Sequence, residues 1–116
     1  MLSPVVSGPS DSHPVGVNPG ELQVLVSGDD RRYEFRLLGE LDMSTAPQLR
    51  DELVRVPTEG VELVTVDLAD LAFIDSTGLS VLISAFKRLR QQGGDMTLRS
   101  PTPSTRRVLE LSLIHI

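Results

Sequence analysis

The segment that most constrains the fold is residues 72–79, AFIDSTGL, where an apolar, strand-like run changes into a helical pattern. The run ends at Asp75. After it, apolar residues recur at intervals of three and four, as on one face of an amphipathic helix, until the glycine pair at residues 93–94. The pattern therefore predicts a strand that leads directly into a helix beginning near Ser76.

The position of Ser76 at this junction allows two interpretations. Ser, Thr and Asp are favoured at helix N-termini because a side-chain oxygen there accepts a hydrogen bond from an unpaired backbone N–H. The same position also favours a phosphate, since unpaired amides and the helix dipole attract an anion. The motif alone leaves open whether the hydroxyl is structural, a switch, or both.

The other hydrophobic patterns predict a mixed α/β fold in the order β-β-α-β-α-β-α. Alternating apolar residues and β-branched runs predict strands, and capping residues followed by a helical stripe predict helices. In chain order the patterns predict strands near residues 22–26 and 33–37, a helix over about 44–56, a strand over 61–68, the helix after Asp75, a strand near 96–98 and a helix from about Thr105. Strands that alternate with helices predict a mixed sheet with helices packed on it.

Size and composition limit the function classes. A chain of 116 residues predicts one domain, and residues 1–19, rich in Pro, Gly and Ser, predict a flexible tail. No apolar stretch approaches the roughly 20 residues that span a bilayer, and no signal-peptide pattern is present, so we expect a cytoplasmic protein without membrane insertion. The net charge of -5 and the scarcity of aromatic residues argue against direct nucleic-acid binding.

The sequence offers little for catalysis. A nucleophilic Ser76 needs a neighbouring base, and the two histidines are His13, in the predicted tail, and His115, near the last residue. Neither a G-x-S-x-G motif nor a P-loop occurs, and no residues have metal-ligand spacing. We therefore predict that the protein is not an enzyme and that it needs no cofactor or metal.

Three segments together resemble the STAS domain, and specifically the bacterial anti-sigma-factor antagonists. They are residues 38–42 (LGELD), the strand over 64–68 and residues 73–79 (FIDSTGL); the glycine pair with the strand after it, and residues 107–111 (RVLEL), also match. The resemblance implies a STAS-type mixed sheet with helices packed on it, and we expect residues 20–112 to form this domain.

The resemblance also implies a function. The serine that follows the aspartate is the family's phosphorylation site, which corresponds here to Ser76, with Thr77 a less favoured acceptor. The implied partner is an anti-sigma factor that is also an ATP-dependent serine kinase. The unphosphorylated antagonist binds this kinase and frees the sigma factor, phosphorylation ends the binding, and a serine phosphatase restores it. Asp42, Asp75, Ser76, Thr77 and Gly78 are then expected to border the partner surface.

Several alternatives stay open at this stage. Asp42 also suits a turn or cap, and Asp75 also suits a helix cap. Gly78 costs up to about 1 kcal/mol of helix stability against Ala, which indicates either close approach of another chain or tight packing. Some STAS domains are scaffold subunits of stress-sensing complexes or soluble subunits of lipid transporters. A structural module without a switch is a further alternative.

The last residues depart from the pattern of similar domains. Those domains continue past the Leu-Glu-Leu-Ser step with Gly-Leu and a further strand, whereas this chain continues with LIHI over residues 113–116. We interpret residues 113–116 as an anomalous, non-native end. The alternative is a genuine short apolar end that adds an edge strand.

Overall fold

The structure, a computed structural model, describes residues 17–113, and these form four strands and three helices. They are β1 (Leu22–Gly28), β2 (Arg32–Leu41), α1 (Ala46–Arg55), β3 (Leu63–Ile74), α2 (Ser76–Gln91), β4 (Asp95–Arg99) and α3 (Pro103–Leu113). The predicted element order is confirmed. Most of the predicted tail over residues 1–19, and all but the first residue of the anomalous end at 113–116, lie outside the described residues.

The four strands form one mixed sheet in the order β1-β2-β3-β4. β1 and β2 are an antiparallel hairpin, whereas β2, β3 and β4 are parallel neighbours joined through α1 and α2. Asp29 fixes the hairpin turn, because its Oδ1 accepts hydrogen bonds from the backbone N–H groups of Arg31 and Arg32 at 3.0 and 3.1 Å. The hairpin and the two crossover helices place the ends of β2 and β3 side by side.

All three helices pack on the same face of the sheet. The inward side chains of β3 alternate with outward ones, as a strand buried on one face requires. The core joins residues of the sheet with the apolar stripes of α1, α2 and α3; its largest fully buried apolar side chains are Phe35, Leu37, Leu41, Leu49, Leu68, Leu71, Leu82, Val64 and Val66. This shared core holds the start of α2 firmly against the ends of β2 and β3.

The opposite face of the sheet carries charged side chains that pair with one another. Arg36 lies between the buried Phe35 and Leu37 and bonds Asp70 at 2.6 Å. Arg99 bridges Glu34 at 2.7 Å and Asp67 at 3.2 Å across β4, β2 and β3. Because these groups are polar and mutually paired, this face of the sheet is stable in contact with water.

Two elements differ in extent from those predicted. β3 is one continuous strand that joins the predicted strand over 61–68 to the strand-like run ending at Asp75, because a register shift lets the residues after Asp67 keep pairing with β2. α3 begins at Pro103 rather than Thr105, since Thr102 caps it: the Thr102 Oγ1 accepts from the Thr105 N–H at 3.3 Å. Pro suits this first helical position because it has no N–H to leave unpaired.

The helices of the part of the chain that the structure describes are too short or too polar to span a bilayer. α2, the longest of them, has 16 residues and exposes several charged side chains in its last turns.

Candidate functional site

The predicted site residues come together at one edge of the sheet. Leu41 of β2 and Ile74 of β3 are paired neighbours at the ends of two parallel strands. The loop after β2 and the first turn of α2 therefore start side by side. Asp42 follows the first strand, and Asp75 to Gly78 follow the second, so the structure brings all five predicted residues to this edge.

Asp75 connects the two segments. Its Oδ1 accepts a hydrogen bond from the N–H of Gly78 at 2.9 Å, which caps α2, and its Oδ2 accepts from the N–H of Met43 at 3.2 Å. Its own N–H donates to the carbonyl oxygen of Leu41 at 3.1 Å. Asp75 thus satisfies one of the orphan amides of the helix and ties α2 to the loop between β2 and α1.

Ser76 is the first residue of α2 and is exposed to solvent. Because Asp75 serves as the N-cap, the helix does not use the Ser76 hydroxyl, and within residues 17–113 this hydroxyl makes no hydrogen bond. The carbonyl oxygen of Ser76 accepts from the Ser80 hydroxyl at 2.9 Å. Thr77 is exposed as well. The site therefore presents an unengaged hydroxyl at the start of a well-capped helix.

Asp42 organises the loop between β2 and α1. Its Oδ1 accepts from the N–H and the hydroxyl of Ser44, at 2.9 and 2.8 Å, and from the N–H of Thr45 at 3.1 Å. The Ser44 hydroxyl, followed by the backbone amides of Thr45 and Ser44, holds the pKa of Asp42 below its usual value, because each donor stabilises the charged carboxylate. Asp42 is thus an ionised group that keeps the loop in one conformation.

Thr45 is the residue before α1, yet its hydroxyl does not cap the helix. The Thr45 Oγ1 instead accepts from the Asp42 N–H at 2.9 Å and donates to the Glu40 carbonyl oxygen at 2.8 Å. The side chain is buried, and these bonds fasten the loop to the end of β2.

Gly78 is buried where α2 passes β2. A Cβ at this position would lie 2.5 Å from the Cγ of Leu41 and 3.1 Å from its carbonyl oxygen. Real Cβ atoms essentially never approach that closely, so the glycine is needed for the helix to reach its place. Of the two alternatives drawn from the sequence, the structure shows tight packing within this chain, between α2 and β2.

Met43 is a site residue that sequence analysis missed. It lies between Asp42 and Ser44, its side chain is 73% exposed, and its N–H donates to Asp75. The one sequence feature that could have identified Met43 is that it is an apolar residue in a polar loop, outside the periodicity of any strand or helix. Exposure of the side chain depends on the loop conformation, which the pattern does not reveal.

The chemistry available at this edge is limited. In the described part of the chain, no three His, Cys, Asp or Glu side chains are grouped so as to hold a metal ion. His13 and His115 lie outside the described residues. Asp42 and Asp75 are both engaged with backbone amides. The arrangement suits recognition and covalent modification of a hydroxyl better than nucleophilic catalysis by it.

Comparison with known proteins gives consistent matches. The family model of the STAS domain matches residues 23–115. The anti-sigma-B factor antagonist of Bacillus subtilis (strain 168) is 31% identical over 91 residues, which cover 78% of this chain and 83% of that protein. The crystal structure of an anti-sigma factor antagonist from Mycobacterium paratuberculosis aligns with a TM-score of 0.71 at 28% identity, covering 84% of this chain and 83% of that chain.

A further similar structure is that of a protein solved in its phosphorylated form. The Bacillus cell fate determinant SpoIIAA in its phosphorylated form aligns with a TM-score of 0.65 at 25% identity, over 78% of this chain and 83% of that chain.

Proposed function

This chain belongs to the STAS domain family, and we propose that it is an anti-sigma-factor antagonist switched by phosphorylation of Ser76. Unphosphorylated, it binds an anti-sigma factor that is also a serine kinase, and the sigma factor is released. The kinase then transfers the γ-phosphoryl group of ATP to the Ser76 oxygen, whose proton is lost, and ADP leaves. A serine phosphatase hydrolyses the phosphoserine and resets the cycle. In this role the protein is a cytoplasmic substrate and regulator rather than a catalyst.

The observation that carries the proposal is the unengaged, exposed hydroxyl of Ser76 beside a carboxylate that already caps the helix. A kinase substrate must present its hydroxyl without unfolding. Since the Asp75 Oδ1 satisfies the Gly78 N–H at 2.9 Å, modification of Ser76 removes no hydrogen bond that the helix needs. The proteins to which this chain is similar, named anti-sigma-factor antagonists, support the same role.

The electrostatics of the site support an off-switch. Phosphorylation adds about 1.5 to 2 negative charges and three acceptor oxygens. The new charge would stand next to Asp75 and on the same edge of the sheet as Asp42, an ionised carboxylate whose pKa is lowered chiefly by the Ser44 hydroxyl. The free amides of the first turn and the helix dipole stabilise the phosphate, so α2 persists. The modification therefore acts on the partner by repulsion and not by unfolding this chain.

We further propose that residues 20–112 are the working domain and that Asp42, Asp75, Ser76, Thr77 and Gly78 border the partner surface. Ser76 and Thr77 are the exposed members and are the ones that touch the kinase. Asp42 and Asp75 hold the two segments in position through their backbone contacts. Gly78 is buried against Leu41 and contributes by letting α2 approach the sheet.

The test is intact-mass measurement after incubation with ATP, magnesium and the anti-sigma kinase encoded nearest to the gene. Wild type should gain one phosphate and Ser76→Ala none. Ser80→Ala is the matched control, because Ser80 is exposed one turn along the same helix and should not change the result. Thr77→Ala, which should also be phosphorylated, excludes the neighbouring acceptor.

The kinase must be shown to phosphorylate itself or another antagonist in the same assay. If that active kinase leaves the wild type unmodified, the proposed switch is wrong. A role as scaffold subunit of a stress-sensing complex or soluble subunit of a lipid transporter would then be favoured. Transfer of phosphate to Ser80 in the Ser76→Ala variant would equally overturn the assignment of the site.

A further inference from the structure

We propose that Met43 is a binding anchor for the partner kinase, inserted into an apolar pocket beside the cleft that receives Ser76. This inference rests on the proposed function. Met43, which is not modified, then supplies much of the affinity for the kinase. Ser76 accepts the phosphate.

Met43 combines an exposed side chain with an ordered backbone. At 73% exposure it is the most exposed large apolar side chain of the described residues. Its N–H donates to the Asp75 Oδ2 at 3.2 Å, and its neighbours Ser44 and Thr45 donate to Asp42. Because the backbone is already ordered, binding adds no cost for ordering the loop, and the entropy lost is that of the Met43 side-chain rotamers alone.

The place of Met43 next to the modified residue identifies the occupant of this surface. The Asp75 carboxylate binds Met43 through one oxygen and caps the helix that starts at Ser76 through the other. A kinase that takes the Ser76 hydroxyl into its cleft covers the surface around that hydroxyl. Because Asp75 joins the Met43 backbone to this helix start, we expect the kinase to cover Met43 as well, and its flexible thioether side chain adapts well to an irregular apolar pocket.

Charge adds a second feature of the partner. In the described residues Asp42 and Asp75 form no salt bridge with Lys or Arg. Both oxygens of Asp75 accept backbone hydrogen bonds, whereas at Asp42 only Oδ1 does. Two uncompensated carboxylates thus flank Met43. The matching surface on the kinase is an apolar pocket bordered by Lys or Arg side chains, because such a border complements the carboxylates and is sensitive to phosphate added at Ser76.

The test compares the affinity of the kinase for wild type, Met43→Ala, Met43→Leu and Val54→Ala. Val54 is the matched control, since it is a 60% exposed apolar residue of α1 outside the site. In calorimetric titrations with a non-hydrolysable ATP analogue, Met43→Ala should bind about tenfold more weakly, as expected for loss of an anchor side chain. Met43→Leu and Val54→Ala should stay within about threefold of wild type, because apolar volume is kept or lies elsewhere.

Phosphorylation kinetics give an independent readout. If Met43 contributes binding and no chemistry, Met43→Ala should raise KM for this substrate and leave kcat unchanged. Wild type that binds and is phosphorylated, together with Met43→Ala of unchanged affinity and KM, would overturn the anchor and leave the proposed function intact. Wild type that neither binds nor is phosphorylated would overturn both. Unchanged thermal unfolding of Met43→Ala excludes misfolding as the cause.

Discussion

The Asp75 Oδ2 accepts a hydrogen bond from the backbone N–H of Met43 at 3.2 Å, although the two residues are 32 positions apart in the chain. The Oδ1 of the same carboxylate caps α2 through the N–H of Gly78 at 2.9 Å. One side chain therefore joins the loop after β2 to the helix after β3. The position of the exposed Met43 relative to Ser76 is therefore set by the fold itself.

Replacing Asp75 tests this junction. Asp75→Ala removes both the cap and the tether, and should lower the free energy of unfolding by about 1 to 2 kcal/mol. Asp75→Ser should recover part of the loss, because serine caps helices but is too short to serve both amides. Urea unfolding measures the difference. Asp51→Ala, at an exposed position of α1, is the control, and an Asp75→Ala variant as stable as this control would contradict the prediction.

Whether Gly78→Ala raises or lowers the free energy of unfolding shows whether helix propensity or tight packing dominates at this position. Propensity alone predicts a gain of up to about 1 kcal/mol. The new Cβ would instead lie 2.5 Å from the Leu41 Cγ, so we expect a net loss of about 1 to 3 kcal/mol through overpacking. Denaturant unfolding measures it, and Ser80→Ala, exposed in the same helix, should change stability little. A stabilised Gly78→Ala protein would show that α2 is not pressed against β2.

The cap of α3 rests on the Thr102 hydroxyl, which accepts from the Thr105 N–H at 3.3 Å. Thr102→Ala should therefore destabilise the protein by about 1 kcal/mol in thermal or urea unfolding. Thr102→Ser keeps the hydroxyl and should stay near wild type. Equal losses in the two variants would mean that the methyl group of Thr102, and not its hydroxyl, is what the fold requires.

The acid dependence of stability should include a contribution from Asp42. Its pKa is lowered in the folded protein, chiefly by the Ser44 hydroxyl, so the contribution is fully present above the ordinary value of 3.8. It is lost as the pH falls below 3.8 through the folded-state pKa, because protonation removes the charge that the donors stabilise. The wild-type advantage over Asp42→Asn should therefore be constant at neutral pH and shrink as the pH falls below 3.8.

Unfolding free energies of both proteins from pH 7 to pH 3 measure this effect, and carboxyl carbon NMR of Asp42 reports the pKa directly. A difference between wild type and Asp42→Asn that is constant over this range would show that the loop does not depend on the charge of Asp42.

Local periodicity accounts for what sequence analysis recovered. The alternation of apolar and polar residues in β1 and β2, and the three-to-four spacing after Asp75, depend only on residues close in the chain. The element order and fold class predicted from them are confirmed. The continuity of β3 beyond residue 68 was missed because the outward Asp67 and Asp70 interrupt the apolar pattern, while their partners are Arg99 and Arg36 on other strands. The assignment of phosphorylation to Ser76 stays a prediction.

The sequence by itself determined that a strand passes into a helix between Asp75 and Ser76, because side-chain periodicity changes from two to 3.6 there. Only the tertiary structure decided that Asp75 also binds the loop after β2, that Gly78 is needed against Leu41, and that Met43 is exposed beside them. The physical reason is that the Asp75–Met43 and Gly78–Leu41 contacts join residues more than 30 positions apart, whereas the Asp75–Gly78 cap spans three. They exist only once β2 and β3 pair in parallel and bring the two loops to the same edge.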